Sequence, residues 1–580
     1  MLNPTGMILG DMQGGDKHCG SSVSYSKAQG RLCCDCNVAG QEAGNPWVKC
    51  CRMSMIKIRN YVVNGDLDAL KQINQYNVYS AWFDVDYGRC PRGIFSAAMP
   101  VESLHAVEGG MILQCLQILF EEDLKPARCG DLDKLAIDMC EWERQFYLHS
   151  GSDKDLPRTL FKDGVTSLTK ISHSYIVGMM LTIVIITLRD DGKEFLTKVC
   201  GTVKRVNDTR YVFSMLLCYW SWLRKDHYWK RGDHAAKATA LKSIRLMLQE
   251  IVRRWPREKG NGWFLAKFHE QLHVPDDIER NGTPRGSYTG PTERLHKNLK
   301  HHSLRTQRRR HVHDKQLGDR THETYVIDYC SDRMTADYST LFGQIPVEVI
   351  DEEWSMSQGA TRGVMDLEFD ANNPDEPKST FGWLTSTAVK NESPPFDETV
   401  FECIRGELRY DLKHHYFTAD GNRTRAQLFT ECKVGGVLYR AHPFYRNEKA
   451  WYDWVMIRYS RGVDDKTYRE TTHDDDVGFG DSDSVAHDHE YAPGKILGFY
   501  LDPRYDEMQA VVQCCAFKHI RSSPISTYWK QEYHNKHPCI ISIGVQSIVR
   551  QCLMIPENDQ MEGFHEIWSR DRWADAFCDV

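Results

Sequence analysis

The tract Gly290-Pro291-Thr292-Glu293-Arg294-Leu295-His296 sets a carboxylate and an imidazole three residues apart at the start of an expected helix. Proline after glycine opens a helix readily, because its fixed φ suits the first turn and its missing N–H is not needed there. Glu293 and His296 then share one helix face, where they can coordinate or position a metal. The same acid and imidazole recur as Glu102 and His105 in Pro100-Val101-Glu102-Ser103-Leu104-His105. A further carboxylate, Asp11, follows the apolar run Met7-Ile8-Leu9. A strand end of this kind fixes a ligand where a divalent metal must sit. A helix-start acid and a turn-opening aspartate are the structural alternatives, and both stay open.

Cys33 and Cys36 have the spacing that lets two thiolates meet one Zn²⁺, and Cys50 or Cys51 can supply a third ligand. His18 and Cys19 are candidates for the fourth. A structural zinc site stands about evenly against reduced, unpaired thiols. Ahead of the Glu293 tract lies a helix-like segment carrying His269 and His273. Behind it come Lys297, Lys300, Arg305, Arg308, Arg309 and Arg310, which can hold phosphates or form a solvated basic face.

Composition bounds what these groups can serve. With 580 residues, 41% of them hydrophobic, the chain can bury several cores, so three or four domains are expected. A net charge of -7 does not announce a nucleic-acid binder. Positive charge gathers in 285–315 and acid in 351–400 and 464–490, so any polyanion contact is local. Twenty cysteines without the pattern of a secretory signal point to reduced thiols in an intracellular, soluble protein. The apolar run Tyr175 to Leu188 is too short to cross a bilayer and reads as a buried helix, so no membrane partner is expected.

Five segments position these residues: 1–110 with the cysteine-rich loop, a helical insertion over 111–262, a return over 263–345 with the basic tract, an acidic linker over 346–400, and a β-rich region over 401–580. Asp66 and Asp233 read as helix N-caps. In 112–260 apolar residues recur at i, i+3, i+4 and i+7, with Trp220, Trp222 and Trp229 read as core. Short apolar runs after Phe401, such as VGGVLYRAHPFY, WYDWVMIRY and MQAVVQCCAF, suggest a small β-barrel or sandwich holding a disordered acidic loop at 464–490. His473, His487 and His489 within that loop read as solvated.

The order of strand-borne acid, acid-x-x-His, helical insert and helix-borne Glu resembles the DDE transposases of the CACTA, Plavaka and related cut-and-paste transposons. The resemblance spans most of the chain through short motifs in a shared order. Asp11 in ILGDMQGG matches the second catalytic aspartate, Glu102-Ser103-Leu104-His105 matches the C/D-x-x-H signature, and Glu293 matches the final acid. A family-like His-x-x-x-D-I-x-x-x-G run spans His273 to Gly282, and LYRAHPFYR, WYDWVM, PGKILGFY and DRWADAF resemble the family's C-terminal region. The resemblance implies an α+β chain: a partial RNase H-like α/β core interrupted by an all-helical insertion, plus a small β-rich C-terminal domain. It also implies a nuclear location in a eukaryote, DNA as partner, and self-association as an open option.

In that family two divalent cations about 4 Å apart activate the attacking oxygen and stabilise the leaving one. The resemblance makes Asp11 and Glu293 ligands of Mg²⁺ or Mn²⁺, with Glu102 and His105 shaping the site. The family's first catalytic aspartate belongs upstream of the Asp11 strand, where only ten residues stand, too few for three strands. An N-terminally truncated element, with weak or absent strand transfer, is therefore expected. A non-catalytic DNA- or chromatin-binding descendant is the rival reading, and a scaffold with no nucleic-acid partner is the third.

Overall fold

The computed structural model describes residues 33, 36–51, 54–85, 101–147, 157, 161, 164–168, 173–225, 229, 232–257, 260–288, 303, 313–341, 354–355, 362–370, 373–383, 400, 402–404, 423–435, 437–445, 449–460, 489–502, 507–523, 525–531, 533–534, 537–558 and 563–578. Helices come first and strands second. The helices are α1 (Met55–Val63), α2 (Leu67–Gln72), a π-helix (Leu104–Ile112) running into α3 (Leu113–Ile118), α4 (Pro126–Tyr147), α5 (His173–Leu188), α6 (Asp190–Cys200), α7 (Val203–Arg224), α8 (His234–Arg254), α9 (Ala266–Glu270), α10 (Val274–Asn281), α11 (His313–Leu341) and α12 (Arg570–Cys578). Among the described residues only isolated bridges precede the first strand at Trp354. Helices segregated from antiparallel strands make the chain α+β. The expected Met7 strand lies outside the described residues, and no RNase H-like sheet is present among them.

Local chemistry sets the helix starts. The Asp66 carboxylate accepts from the Ala69 N–H at 3.0 Å, and Asp233 does the same for Ala236 at 3.0 Å, each satisfying a donor the first turn leaves unpaired. Helix α5 is buried on every side from Ile176 to Leu188, as its unbroken apolar sequence requires of an interior helix. Among the described residues no helix is long and apolar enough to cross a membrane. Around α5 the core gathers Phe213, Leu216 and Tyr219 of α7 with Ile244 and Leu248 of α8. Trp220 and Trp222 belong to this core, and Trp229 packs against it.

Strands after residue 354 are paired antiparallel throughout. The largest sheet runs in the open order Leu553–Pro556, Gly563–Ile567, Ser526–Gln531, Glu507–Ser523, His489–Asp502, Arg423–Phe429, Arg362–Asp370, Asn373–Trp383. Glu507–Ser523 carries an irregularity between Cys515 and His519, and its two halves take different partners. A bulge bends a strand in this way.

Two expectations about segments need correction. The stretch 346–400, expected as linker, supplies Arg362–Asp370 and Asn373–Trp383 to the large sheet. Its acid and proline misled because ladder bonds are made by backbone, and an edge strand such as Asn373–Trp383 tolerates Pro374 and Pro377. Nor is the C-terminal region self-contained: beside a core of its own around Tyr439, Phe499 and Val512, it adds residues to the helical one. Ile525, Leu553, Ile555 and Ile567 of the sheet, with Trp573 and Phe577 of α12, enter the same core as α5 and α7. The Phe577 ring lies 5.1 Å from Tyr219 and 5.4 Å from Trp222, which joins the chain's last helix to its middle.

Candidate metal centre

Residues 266–281 form a nearly continuous helical run, α9 leading through a 3₁₀ turn (Gln271–His273) into α10, with Pro275 in the first turn of α10 where its missing N–H costs nothing. His269 and His273 stand four residues apart on it and share a face. Their rings meet edge to face, 5.0 Å apart at 86°. Gln271, between them, anchors the turn by accepting from the Tyr219 hydroxyl at 2.8 Å and donating to the Lys267 carbonyl at 2.7 Å.

Facing this pair is the cysteine loop. Cys33 Sγ lies 3.3 Å from His273 Nε2, and Cys36 Sγ lies 3.0 Å from His269 Nε2. The four donor atoms all fall within 4.8 Å of one another, and all four residues are buried. Zinc bonded tetrahedrally at about 2.3 Å to sulfur and about 2.0 Å to nitrogen sets donors roughly 3.3–3.8 Å apart, so this arrangement fits such an ion. It is a buried Cys₂His₂ group able to hold a structural metal such as zinc.

Charge in the cluster is shared among groups that protons alone satisfy poorly. Hydrogen bonding to Cys33, then to Cys50, with burial added, pushes the Cys36 thiol far up. Cys50 moves the other way, to about 4, chiefly because Cys36 donates to it and because His269 stands beside it. Burial alone would lower the His269 imidazole, yet hydrogen bonds and negative charge from Cys33 and Cys50 carry it up to about 9. A dication replaces that shared proton by binding thiolates and neutral imidazoles together.

Of the four cysteines expected as ligands, the structure brings Cys33 and Cys36 to the centre and sets Cys50 and Cys51 apart from the four-donor group. The Asn37 N–H donates to the Cys51 carbonyl at 3.0 Å, and the Cys51 N–H to Asn37 Oδ1 at 3.2 Å, which lays residues 50–51 alongside Cys36. Neighbouring side chains on extended backbone point opposite ways. Cys50 therefore turns inward, its Sγ 4.0 Å from His269 Nε2, while Cys51 is exposed. His269 and His273 take the third and fourth places, for which spacing had offered Cys50 or Cys51 and His18 or Cys19.

A signal for the histidines stood in the sequence. His269-Glu270-Gln271-Leu272-His273 is a His-Glu-x-x-His run, the spacing of helix-borne zinc hydrolases. Here two thiolates complete the tetrahedron, and a centre with four protein ligands has no open position for water. A zinc ion held by all four would therefore be structural.

The Glu102–His105 tract packs against the same helical run. The Val101 N–H donates to Asp277 Oδ2 at 2.9 Å, and Lys267 Nζ donates to the Gly109 carbonyl at 3.3 Å. Glu102, buried, accepts from the N–H groups of Leu104 and His105, each at 2.8 Å, and lies 2.8 Å from His105 Nδ1. Its carboxylate thus caps the π-helix and orients His105. One turn on, fully buried Glu108 accepts from Trp220 Nε1 at 2.8 Å and from Arg224 at 2.7 Å. The Arg224 guanidinium lies over the rings of Trp220 and Tyr288, 4.4 Å from each centroid.

Asp11, Glu293, Lys297, Lys300, Arg305, Arg308, Arg309 and Arg310 lie outside the described residues, as do His18, Cys19 and most of the 464–490 tract. No protein-family model matches the chain, and no curated protein matches its sequence.

Proposed function

We propose that this chain is a zinc-stapled, transposon-derived protein of the DDE transposase type, whose ancestral reaction is metal-dependent DNA cleavage and strand transfer. One observation carries the reading. Cys33 and Cys36 meet His269 and His273 across the whole helical insertion, while Val101 is tied to Asp277. Three tracts that flank the expected acids in sequence therefore converge on one helical run. Asp11 precedes the cysteine loop and Glu293 follows His273, so a staple between those segments supports a shared site for the two acids. In this reading Asp11 and Glu293 hold Mg²⁺ or Mn²⁺ through oxygen, His105 is a positioning residue, and Lys297 to Arg310 hold DNA phosphates. The test is cleavage of supercoiled DNA in Mn²⁺. Activity abolished by Glu293→Ala is the expected result for a working enzyme, and activity indifferent to that change overturns the assignment.

A second reading, DNA binding without cleavage, is favoured by Glu102, whose carboxylate is committed to capping its own helix. Binding without cleavage, weakening steeply with salt and with a slope flattened in an Arg308→Ala, Arg309→Ala variant, is its expected result. Absence of DNA binding near physiological salt overturns both readings.

A further inference from the structure

A fifth donor, Cys50, stands at the edge of the four-donor group, on the side of His269. Cys50 Sγ stands 4.0 Å from His269 Nε2, close to the spacing of adjacent ligands on one zinc ion. The backbone pairing of Asn37 with Cys51 holds Cys50 beside Cys36 whatever the metal does. Cys50 is also half-buried and so retains room to move, whereas the four clustered donors are fully enclosed.

His269 is the ligand with the weakest outer support. A zinc-bound imidazole coordinating through Nε2 carries its proton on Nδ1 and ordinarily donates it to a carboxylate or carbonyl, which fixes the ring. His269 Nδ1 is buried without any hydrogen-bond partner among the described residues. Breaking the zinc bond to His269 therefore disrupts no second hydrogen bond.

Resting on the zinc reading, we propose that Cys33, Cys36 and His273 hold the ion throughout, and that His269 and Cys50 exchange in the fourth position. In the exchange Cys50 binds as its thiolate, giving up whatever proton its sulfur carries. His269 departs as a neutral imidazole able to take that proton, so the unit's charge is unchanged. The 266–273 segment can thereby loosen from the cysteine loop without releasing its metal.

Cobalt substitution of the full chain tests this, because sulfur-to-cobalt charge transfer scales with the number of bound thiolates. His269→Ala is expected to keep one metal equivalent, to lose only about 10–100-fold in affinity, the scale of a lost supporting contact, and to gain about half again in charge-transfer intensity. Cys50→Ser alone is expected to leave the two-thiolate spectrum unchanged, and the double variant to lose the metal. Should His269→Ala fail to fold, His269→Asn serves instead: it is expected to bind cobalt with three thiolates and to lose it when Cys50→Ser is added. Loss of metal from a folded His269→Ala, an unchanged spectrum in that variant, or loss from Cys50→Ser alone overturns the exchange. A wild-type chain that takes up neither cobalt nor zinc overturns the zinc reading itself.

Discussion

Cys36 Sγ and His269 Nε2 stand 3.0 Å apart although 233 residues separate them in the chain. A metal bound there closes a loop containing the entire helical insertion, so metal binding and folding are coupled. Chelation of the purified chain is expected to lower its stability by about 4 kcal/mol at free zinc 1,000-fold above Kd. Cys36→Ala and His273→Ala should each reproduce that loss, and Cys51→Ala should not. Zinc should also leave as pH falls, since thiolates and imidazoles must take up protons to release it. Denaturant midpoints with and without chelator, alongside metal counting, check all of these.

Gly110 leaves room for the His105 carbonyl of its own π-helix and for the Lys267 side chain that reaches over from α9. A Cβ at this position would meet the His105 carbonyl oxygen and Lys267 Cδ, both at 2.9 Å. A carbonyl cannot give way as a flexible side chain can. Gly110→Ala is expected to cost about 1–3 kcal/mol. Because Lys267 lies on the helix that carries His269, the same change should weaken zinc binding. A variant with wild-type stability and zinc affinity would show that the two helices are not in contact.

What the sequence made legible here was whatever is local. Asp66 and Asp233 cap the turns that follow them, the apolar run of α5 is interior, and Cys33-x-x-Cys36 supplies two of the four clustered donors. His269 and His273 had a spacing signal of their own, but their pairing with these cysteines was hidden because ligand spacing carries no information across more than two hundred residues. Choosing between Cys50 and Cys51 needs the direction of an extended backbone, which two adjacent cysteines do not reveal. Glu102 and His105 were visible as an acid and imidazole at a helix start, but their mutual hydrogen bond and the capping of two N–H groups emerge only from the folded turn. The hairpin at 362–383 was hidden by its composition, since backbone pairing at a sheet edge leaves no apolar signature.

Buried Glu108 pairs with half-buried Arg224, and the pair should be costly to break. One carboxylate oxygen takes both Arg224 and the Trp220 indole, while Oε2 is buried without a partner among the described residues. Glu108→Ala leaves a half-buried guanidinium and the Trp220 N–H without their acceptor, for which the expected loss is about 1–3 kcal/mol. Adding Arg224→Met should recover part of that loss by removing the stranded charge. Urea unfolding of the single and double variants measures both, and a single-variant loss under about 1 kcal/mol would contradict the burial of Glu108.

Asp453 and His565 should tilt the stability curve in opposite directions. Asp453 Oδ2 accepts from the Arg440 N–H at 2.7 Å, and Oδ1 from Trp451 and Gln551 at 3.1 Å each. Burial nevertheless dominates and raises its carboxyl from 3.8 to about 7. Between those values the folded chain holds a proton that the unfolded chain has lost, so this contribution is complete below the lower value and is lost as pH rises through the upper. His565 has the reverse sign. Burial first, then the charges of Lys193 and Arg210, lower its imidazole from 6.5 to about 3, against the pull of Asp190 and a backbone bond to Leu188. Its contribution is complete above 6.5 and is lost as pH falls toward 3. Asp453→Asn should therefore gain stability relative to the parent as pH rises from about 4 to about 7, at no more than about 1.4 kcal/mol per pH unit. His565→Gln should gain relative to the parent as pH falls over the overlapping range. Unfolding curves taken at several pH values separate the two, and parallel pH profiles for parent and variants would show that neither group is buried as described.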